Sequence, residues 1–336
     1  MKIAASLYST NLQDLPSLVH ELDALPVDFF HVDCFEGEEQ KVAKDIRAIQ
    51  GISSKPIDLH AISSNSESFF QLAEELGVKQ LTLQLENITD TLIIPKDKGY
   101  KFGLAITNTT NLGVLQAYEG ELDYILLMTT TPGKSGGKFE KSSFDRIRQC
   151  KRQYPNIPVY VDGGINAEVS FVLRLLGVSQ AVSGSFLVNH DNVAQALADL
   201  RFHQKGSSFL VQDFMLDKQS LPILNPSTCS VKELTQTLDS FGMGFVLFEE
   251  NDTILGVCSN ADFRKGVLKN IDNLDGLSVK DMINTSPIYL KEKASTYEMI
   301  SLIKKYSFPI LFLPIIDDKK ALKGVITFNE LIKGEG

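Results

Sequence analysis

Phe29-Phe30-His31-Val32-Asp33 is an apolar run interrupted by two polar residues at positions i and i+2. Alternate side chains of an extended strand share a face, so His31 and Asp33 point the same way. Pro56-Ile57-Asp58-Leu59-His60 repeats the pattern, with Asp58 and His60 on one face. Working outward from these two, the chain to about residue 200 alternates short β-branched runs with amphipathic helical stretches. The other candidate strands are Lys2–Leu7, Gln80–Leu85, Phe102–Ile106, Tyr124–Met128, Val159–Asp162 and Ala181–Gly184. Such alternation builds parallel sheet with crossover helices. Eight βα units in series predict a closed (β/α)₈ barrel, an α/β fold, in preference to an open doubly wound sheet.

In a barrel of this kind the active-site face lies at the carboxyl ends of the strands. His31, Asp33 and His60 sit there, as does Asp162 in Val161-Asp162-Gly163-Gly164. A strand-end His or Asp taken singly is more often a hydrogen-bonded structural residue. Four together make an N/O donor set suited to Zn²⁺, Fe²⁺, Mn²⁺ or Co²⁺, and the set does not choose among them. Glycines mark a second feature of the same face. They occur in Thr131-Pro132-Gly133-Lys134-Ser135-Gly136-Gly137, in Gly163-Gly164 and in Ser183-Gly184-Ser185, after the sixth, seventh and eighth strands. Glycine lets backbone N–H groups approach an anion, and phosphate sites in these barrels use the loops after strands seven and eight. Each pair alone reads as a turn; together they predict a phosphorylated substrate reaching the metal with its far end.

The 336 residues fit two domains better than one, and 43% hydrophobic with 22% charged residues is a globular composition. Lys+Arg 33 against Asp+Glu 42 gives a net charge of -9, which argues against nucleic-acid or anionic-membrane surfaces. Cys34, Cys150, Cys229 and Cys258 lie far apart with no C-x-x-C pair, as expected in a reducing compartment. The N-terminus has no signal-peptide pattern and no apolar run is long enough to span a bilayer, so a cytoplasmic protein is expected. The polar stretch Phe202–Ser208 ends the βα rhythm. It divides the chain into a barrel domain over residues 1–204 and a second region over residues 208–336.

The segments Ala5-Ser6-Leu7, His31-Val32-Asp33-Cys34-Phe35-Glu36-Gly37, Asp58-Leu59-His60, Leu126–Gly133, Val161-Asp162-Gly163-Gly164-Ile165 and Ser183-Gly184-Ser185 resemble, in order, the motifs of ribulose-phosphate 3-epimerases. The resemblance runs through the whole first domain and implies a TIM barrel of the ribulose-phosphate-binding type. It implies that His31, Asp33, His60 and Asp162 bind one divalent metal that also holds the substrate's C2 and C3 oxygens. It further implies that Asp33 and Asp162 are the catalytic pair. One removes the C3 proton, the other returns a proton from the opposite face, and the metal stabilises the cis-enediolate between them. Ser6, Met128, Gly136, Gly164, Gly184 and Ser185 fall on substrate-binding positions, the last four where the family grips phosphate.

Departures from the pattern bear on the sugar. Phe35 and Glu36 stand where the family reads methionine and aspartate, and the loop before Asp58 is shorter. Ile62 replaces a methionine, Gln84 a histidine on the fourth strand, and Lys134-Ser135 a Phe-Gly. D-ribulose 5-phosphate is the expected substrate, with allulose 6-phosphate or another ketose phosphate as the alternative. Decarboxylases and aldol-type lyases share the barrel, but rely on Asp and Lys pairs in place of two metal-binding histidines. A third reading is a non-catalytic sugar-phosphate and nucleotide sensor; retention of both carboxylates and both imidazoles counts against it.

The second region contains a repeat, Leu255-Gly256-Val257-Cys258-Ser259-Asn260-Ala261-Asp262-Phe263 against Lys323-Gly324-Val325-Ile326-Thr327-Phe328-Asn329-Glu330-Leu331. A helix over Val231–Phe241 and a strand over Gly244–Phe248 match a helix over Thr296–Tyr306 and a strand over Ile310–Ile315. Each unit is too small to bury its own core, so the two are expected to fold side by side as an α+β pair. The repeat resembles a tandem pair of cystathionine-beta-synthase (CBS) domains. The resemblance implies an adenine-nucleotide effector with Ser259 and Asp262 in one half-site and Thr327 and Glu330 in the other, and a homo-oligomer formed through the pair. The same residues also serve as plain helix caps, which need no ligand.

Overall fold

The computed structural model describes residues 1–9, 14–89, 91–132, 136–202 and 208–329. They fall into two compact units, one over residues 1–202 and one over residues 208–329.

The first unit is a closed barrel of eight parallel strands in sequence order. They are β1 (Lys2–Ser6), β2 (Phe29–Phe35), β3 (Ile57–Ile62), β4 (Gln80–Gln84), β5 (Lys101–Thr107), β6 (Tyr124–Met128), β7 (Val159–Asp162) and β8 (Gln180–Ser183). Register pairs Ser6 with His31, Asp33 with His60 and Met128 with Asp162, so these side chains stand at one rim. The strands are almost wholly buried because helices cover them outside and side chains fill them inside. Below the rim the filling is polar and aromatic. Tyr124 and Tyr160 stack at 4.3 Å, the Tyr124 hydroxyl meets Thr82 Oγ1 at 2.7 Å, and Gln180 Nε2 donates to Gln80 Oε1 at 2.9 Å. Gly103 makes room for that stack: a Cβ there would lie 2.2 Å from the Tyr124 ring.

The covering helices are α1 (Leu15–Asp23), α2 (Glu39–Ile52), α3 (Ser66–Leu76), α4 (Ser142–Gln153), α5 (Ala167–Leu175), the single turn α6 (Ser185–Val188) and α7 (Val193–Phe202). Local chemistry sets their ends. Asp14, Asn65 and Asn166 cap the first turns of α1, α3 and α5, and Gly77 closes α3 in the left-handed conformation. After β4 and β5 the regular rhythm lapses, and 3₁₀ turns at Leu85–Asn87 and Leu112–Tyr118 follow instead of α-helices. After β4 the β-branched residues Ile88, Thr89, Thr91, Ile93 and Ile94, with Pro95 behind them, disfavour a helix.

The second unit is α+β. It opens with α8 (Val211–Phe214), β9 (Leu216–Asp217) and β10 (Ile223–Leu224). Then come α9 (Val231–Phe241), β11 (Phe245–Glu250), β12 (Thr253–Ser259) and α10 (Asn260–Lys269). The repeat returns as β13 (Leu290–Lys291), α11 (Thr296–Lys304), β14 (Phe312–Ile316) and β15 (Leu322–Thr327). One sheet runs β10-β11-β12, the other β13-β14-β15-β9, so β9 crosses to complete the second repeat's sheet. Phe245 of the first repeat stacks on Phe312 of the second at 4.1 Å, and a shared core of Leu221, Leu247, Val257, Leu322 and Val325 surrounds them. The expected strand over Ile310–Ile315 begins two residues later, at Phe312, after Pro309. Among the described residues no helix is long and apolar enough to cross a membrane.

Candidate metal and active site

His31 and His60 are fully buried, while Asp33 and Asp162 keep about a sixth of their side chains exposed at the barrel mouth. One donor atom from each of His31, Asp33, His60 and Asp162 lies within 4.8 Å of the others. His31 turns Nε2 toward Asp33 Oδ1 at 3.3 Å and Asp162 Oδ2 at 3.8 Å, and His60 turns Nδ1 toward Asp33 Oδ1 at 3.0 Å. The outer nitrogen of each ring meets an acceptor: Asp58 Oδ2 stands 2.9 Å from His31 Nδ1, and Gln84 Oε1 stands 3.0 Å from His60 Nε2. With those outer positions donating, the inner nitrogens of both rings and two carboxylates face one small volume. In the metal-free protein, protons on the rings bridge to Asp33; a divalent cation fits the same donor set by taking the place of those protons.

The electrostatics of these groups diverge. Burial alone would lower the His31 pKa, but the carboxylates of Asp58 and Asp33 overcome it and hold the ring well above its ordinary value. Burial would raise Asp33, yet hydrogen bonds and charges from His31 and His60 keep it well below the carboxylate range. Asp162 goes the other way. Its burial, reinforced by the Asp33 charge and opposed by His31, pushes it up to about 6.

The remaining candidate residues of the first unit lie at strand ends and in the loops that follow them. Ser6, at the end of β1, is buried with its Oγ 3.0 Å from Ser9 Oγ, and Gly184 packs on Ser9. Met128 is buried beside Tyr124, Leu126 and Tyr160 on the inner side of β6. Thr129 Oγ1 donates to the Asp162 and Gly163 carbonyls at 3.0 and 2.5 Å, tying the loops after β6 and β7 together. Gly164 has φ +68°, and a Cβ there would lie 2.3 Å from the Phe139 amide nitrogen. Gly136 is left-handed at φ +80°, and Ser185 opens α6 behind Gly184. Gly133, Lys134 and Ser135 lie outside the described residues.

The sequence pattern places Asp58 on the inner face and gives it no role, and it presents Gln84 only as a departure from the family. The structure supplies the missing relation for Asp58, which is in register with His31 as His60 is with Asp33.

In the second unit Ser259 and Asp262 line a cleft of about 1340 Å³, with Lys265, Tyr306, Phe308 and Asn329 among the other residues lining it. The two also form a capping box on α10: the Asp262 amide donates to Ser259 Oγ at 3.1 Å, and Asp262 Oδ2 accepts from Ser259 N at 3.0 Å. Thr327 ends β15 and is not among the residues lining the cleft. Glu330 lies outside the described residues.

The barrel is closed and parallel, and the two imidazoles and two carboxylates gathered at its mouth could hold a metal ion. Residues 2–188 match the ribulose-phosphate 3 epimerase family, and the chain belongs to that family of isomerases. The ribulose-phosphate 3-epimerase of Bacillus subtilis is 24% identical over 213 residues, 60% of this chain and 98% of that protein. That of Methanocaldococcus jannaschii is 27% identical over 226 residues, 64% of this chain and 95% of that protein. Residues 279–335 match the CBS domain. A solved CBS domain-containing protein of unknown function from Bacillus anthracis is 14% identical, covering 38% of this chain and 91% of that one at a TM-score of 0.33.

Proposed function

We propose that the barrel is a metal-dependent 3-epimerase of a ketose phosphate, converting D-ribulose 5-phosphate to D-xylulose 5-phosphate in the cytoplasm. The observation that carries this reading is the convergence of His31, Asp33, His60 and Asp162 within 4.8 Å at the strand ends. A divalent cation held by these four would polarise the substrate carbonyl and stabilise the negative charge that develops after proton loss. Asp33 and Asp162 come from β2 and β7, three strands apart around the ring, and so reach C3 from different sides. One takes the C3 proton and the other returns one to the opposite face. Gly136, Gly164, Gly184 and Ser185 bind the phosphate through backbone groups, and Ser6 and Met128 bound the sugar. Protein stripped with chelator and reloaded with Zn²⁺, Fe²⁺, Mn²⁺ or Co²⁺ tests this in an assay for xylulose 5-phosphate. Turnover that returns only with metal supports it, and metal-loaded protein without turnover on any ketose phosphate contradicts it.

A second reading concerns the sugar. Phe35, two residues beyond Asp33 on the same face of β2, is 39% exposed. Phe35, where the family reads methionine, alters the pocket wall and motivates the alternative of another ketose phosphate such as allulose 6-phosphate, which C3-proton exchange over a panel of ketose phosphates resolves.

For the second unit we propose a CBS pair, residues 208–336, whose cleft takes an adenine nucleotide and through which the chain forms a homo-oligomer. The phosphate would lie at Ser259 and Lys265, and Asp262 would accept from ribose hydroxyls. Calorimetry with AMP, ADP and ATP on wild type and Asp262→Ala tests it, and no heat with any adenylate contradicts it.

A further inference from the structure

Beyond the four groups that face the cation site, β4 carries a feature that bears on them. Gln84 is 1% exposed and its amide has one polar neighbour on the oxygen side and two on the nitrogen side. Oε1 faces His60 Nε2 at 3.0 Å. Nε2 faces Glu86 Oε2 at 2.5 Å and the Ala105 carbonyl at 3.4 Å. A backbone carbonyl only accepts, and so does an ionised carboxylate. Glu86 is held in that form: burial works against ionisation, but hydrogen bonds from Thr110, Thr107 and Gln84 keep its carboxyl below the ordinary range. The amide nitrogen must therefore point at Glu86 and Ala105, and the amide oxygen must point at His60. An oxygen there accepts a proton from Nε2 and holds it, whereas Nδ1, which faces Asp33 Oδ1 at 3.0 Å, is the position left to give up its proton and turn a lone pair toward a cation.

We propose that Gln84 and Glu86 are positioning residues that fix the His60 tautomer, so that His60 offers Nδ1 to the site while His31, held at Nδ1 by Asp58, offers Nε2. The relay acts on tautomer and ring orientation, and it rests on the metal reading only where affinity is concerned. It also accounts for what Glu86 does on an exposed loop: its second oxygen takes the Thr107 amide at 2.9 Å and the Thr110 hydroxyl, which immobilises the carboxylate.

The test is a long-range ¹H–¹⁵N correlation of the histidine rings in the full chain, metal-free at a pH where the imidazoles are neutral, and again with Zn²⁺. Wild type is expected to show His60 as the Nε2–H form and, with Zn²⁺, His60 bound through Nδ1 and His31 through Nε2. Glu86→Lys places a donor where the acceptor stood, so the amide reverses and the Nδ1–H form of His60 should appear while His31 stays as it was. Gln84→Leu removes the acceptor and should give His60 both forms. Both variants should weaken Zn²⁺ binding by roughly tenfold or more in equilibrium dialysis. A wild-type His60 in the Nδ1–H form overturns the proposal, and so does an unchanged His60 spectrum in both variants. Normal metal-free spectra with no Zn²⁺ uptake would instead remove the metal reading and leave the relay standing.

Discussion

Asp58 accepts a hydrogen bond from Nδ1 of His31 across the β2–β3 ladder at 2.9 Å, with both side chains shut away from solvent. Gln180 Nε2 supports the same carboxylate oxygen at 3.4 Å, and the other oxygen, Oδ1, has no hydrogen-bond partner among the described residues. This carboxylate therefore sets which nitrogen of His31 faces the cation site and enriches that nitrogen's electron density.

Asp58→Asn keeps the shape and removes the charge, and its amide can turn a donor toward Nδ1. Divalent-metal affinity is expected to fall about 10- to 100-fold. Equilibrium dialysis with Zn²⁺ or Mn²⁺ measures it, and circular dichroism confirms that the barrel is intact. Affinity within twofold of wild type would contradict the assignment.

The elevated Asp162 pKa has a signed consequence for the metal-free protein. Its folded pKa of about 6 lies above its ordinary value near 3.8, so the native state favours the protonated form. The stability contributed by Asp162 is present below pH 4 and is lost as pH rises through 6. Asp162→Asn should accordingly be more stable than wild type at pH 8, with the gap closing toward pH 4. Thermal melts in chelator across that range read the difference, and a gap independent of pH would contradict it.

Gly164 is left-handed and pressed against the Phe139 backbone. Gly164→Ala adds a methyl where none fits and strains the φ, costing about 1–3 kcal/mol. Urea unfolding should show that loss, and KM for the ketose phosphate should rise more than kcat falls. An unchanged KM would separate this loop from phosphate binding.

In the second unit, Ser259 caps α10 whether or not a nucleotide binds. Ser259→Ala should cost about 1 kcal/mol in that unit's unfolding. Weaker adenylate binding beyond that loss, read by calorimetry on folded protein, would assign Ser259 a ligand role as well.

The barrel was legible because its strands are compact apolar runs with polar residues at the carboxyl ends. All eight were placed to within two residues at either end, and the four donors that converge in space are the four named from the strand ends. The parts that escaped have no periodic signal. The 3₁₀ turns after β4 and β5 stand where helices were expected; the segment after β4 is rich in β-branched residues, and the turn after β5 carries Gly113. Strand β9 is two residues long and gains its place by pairing Leu216 with Val325 and Asp217 with Gly324. Asp58 and Gln84 escaped for another reason. Each acts through the far nitrogen of a histidine, and that relation depends on ring orientation, which spacing along the chain does not carry.

The central claim is that Asp33 and Asp162 move the C3 proton of a ketose phosphate. Its most direct test is exchange in heavy water, following loss of the C3 proton signal of D-ribulose 5-phosphate and a panel of other ketose phosphates by NMR with Mn²⁺ or Zn²⁺ present. The account predicts exchange with one of these sugars, slowed by about 10²- to 10⁴-fold in Asp33→Asn and in Asp162→Asn. Metal-loaded protein that leaves the C3 proton of every sugar in place would contradict it.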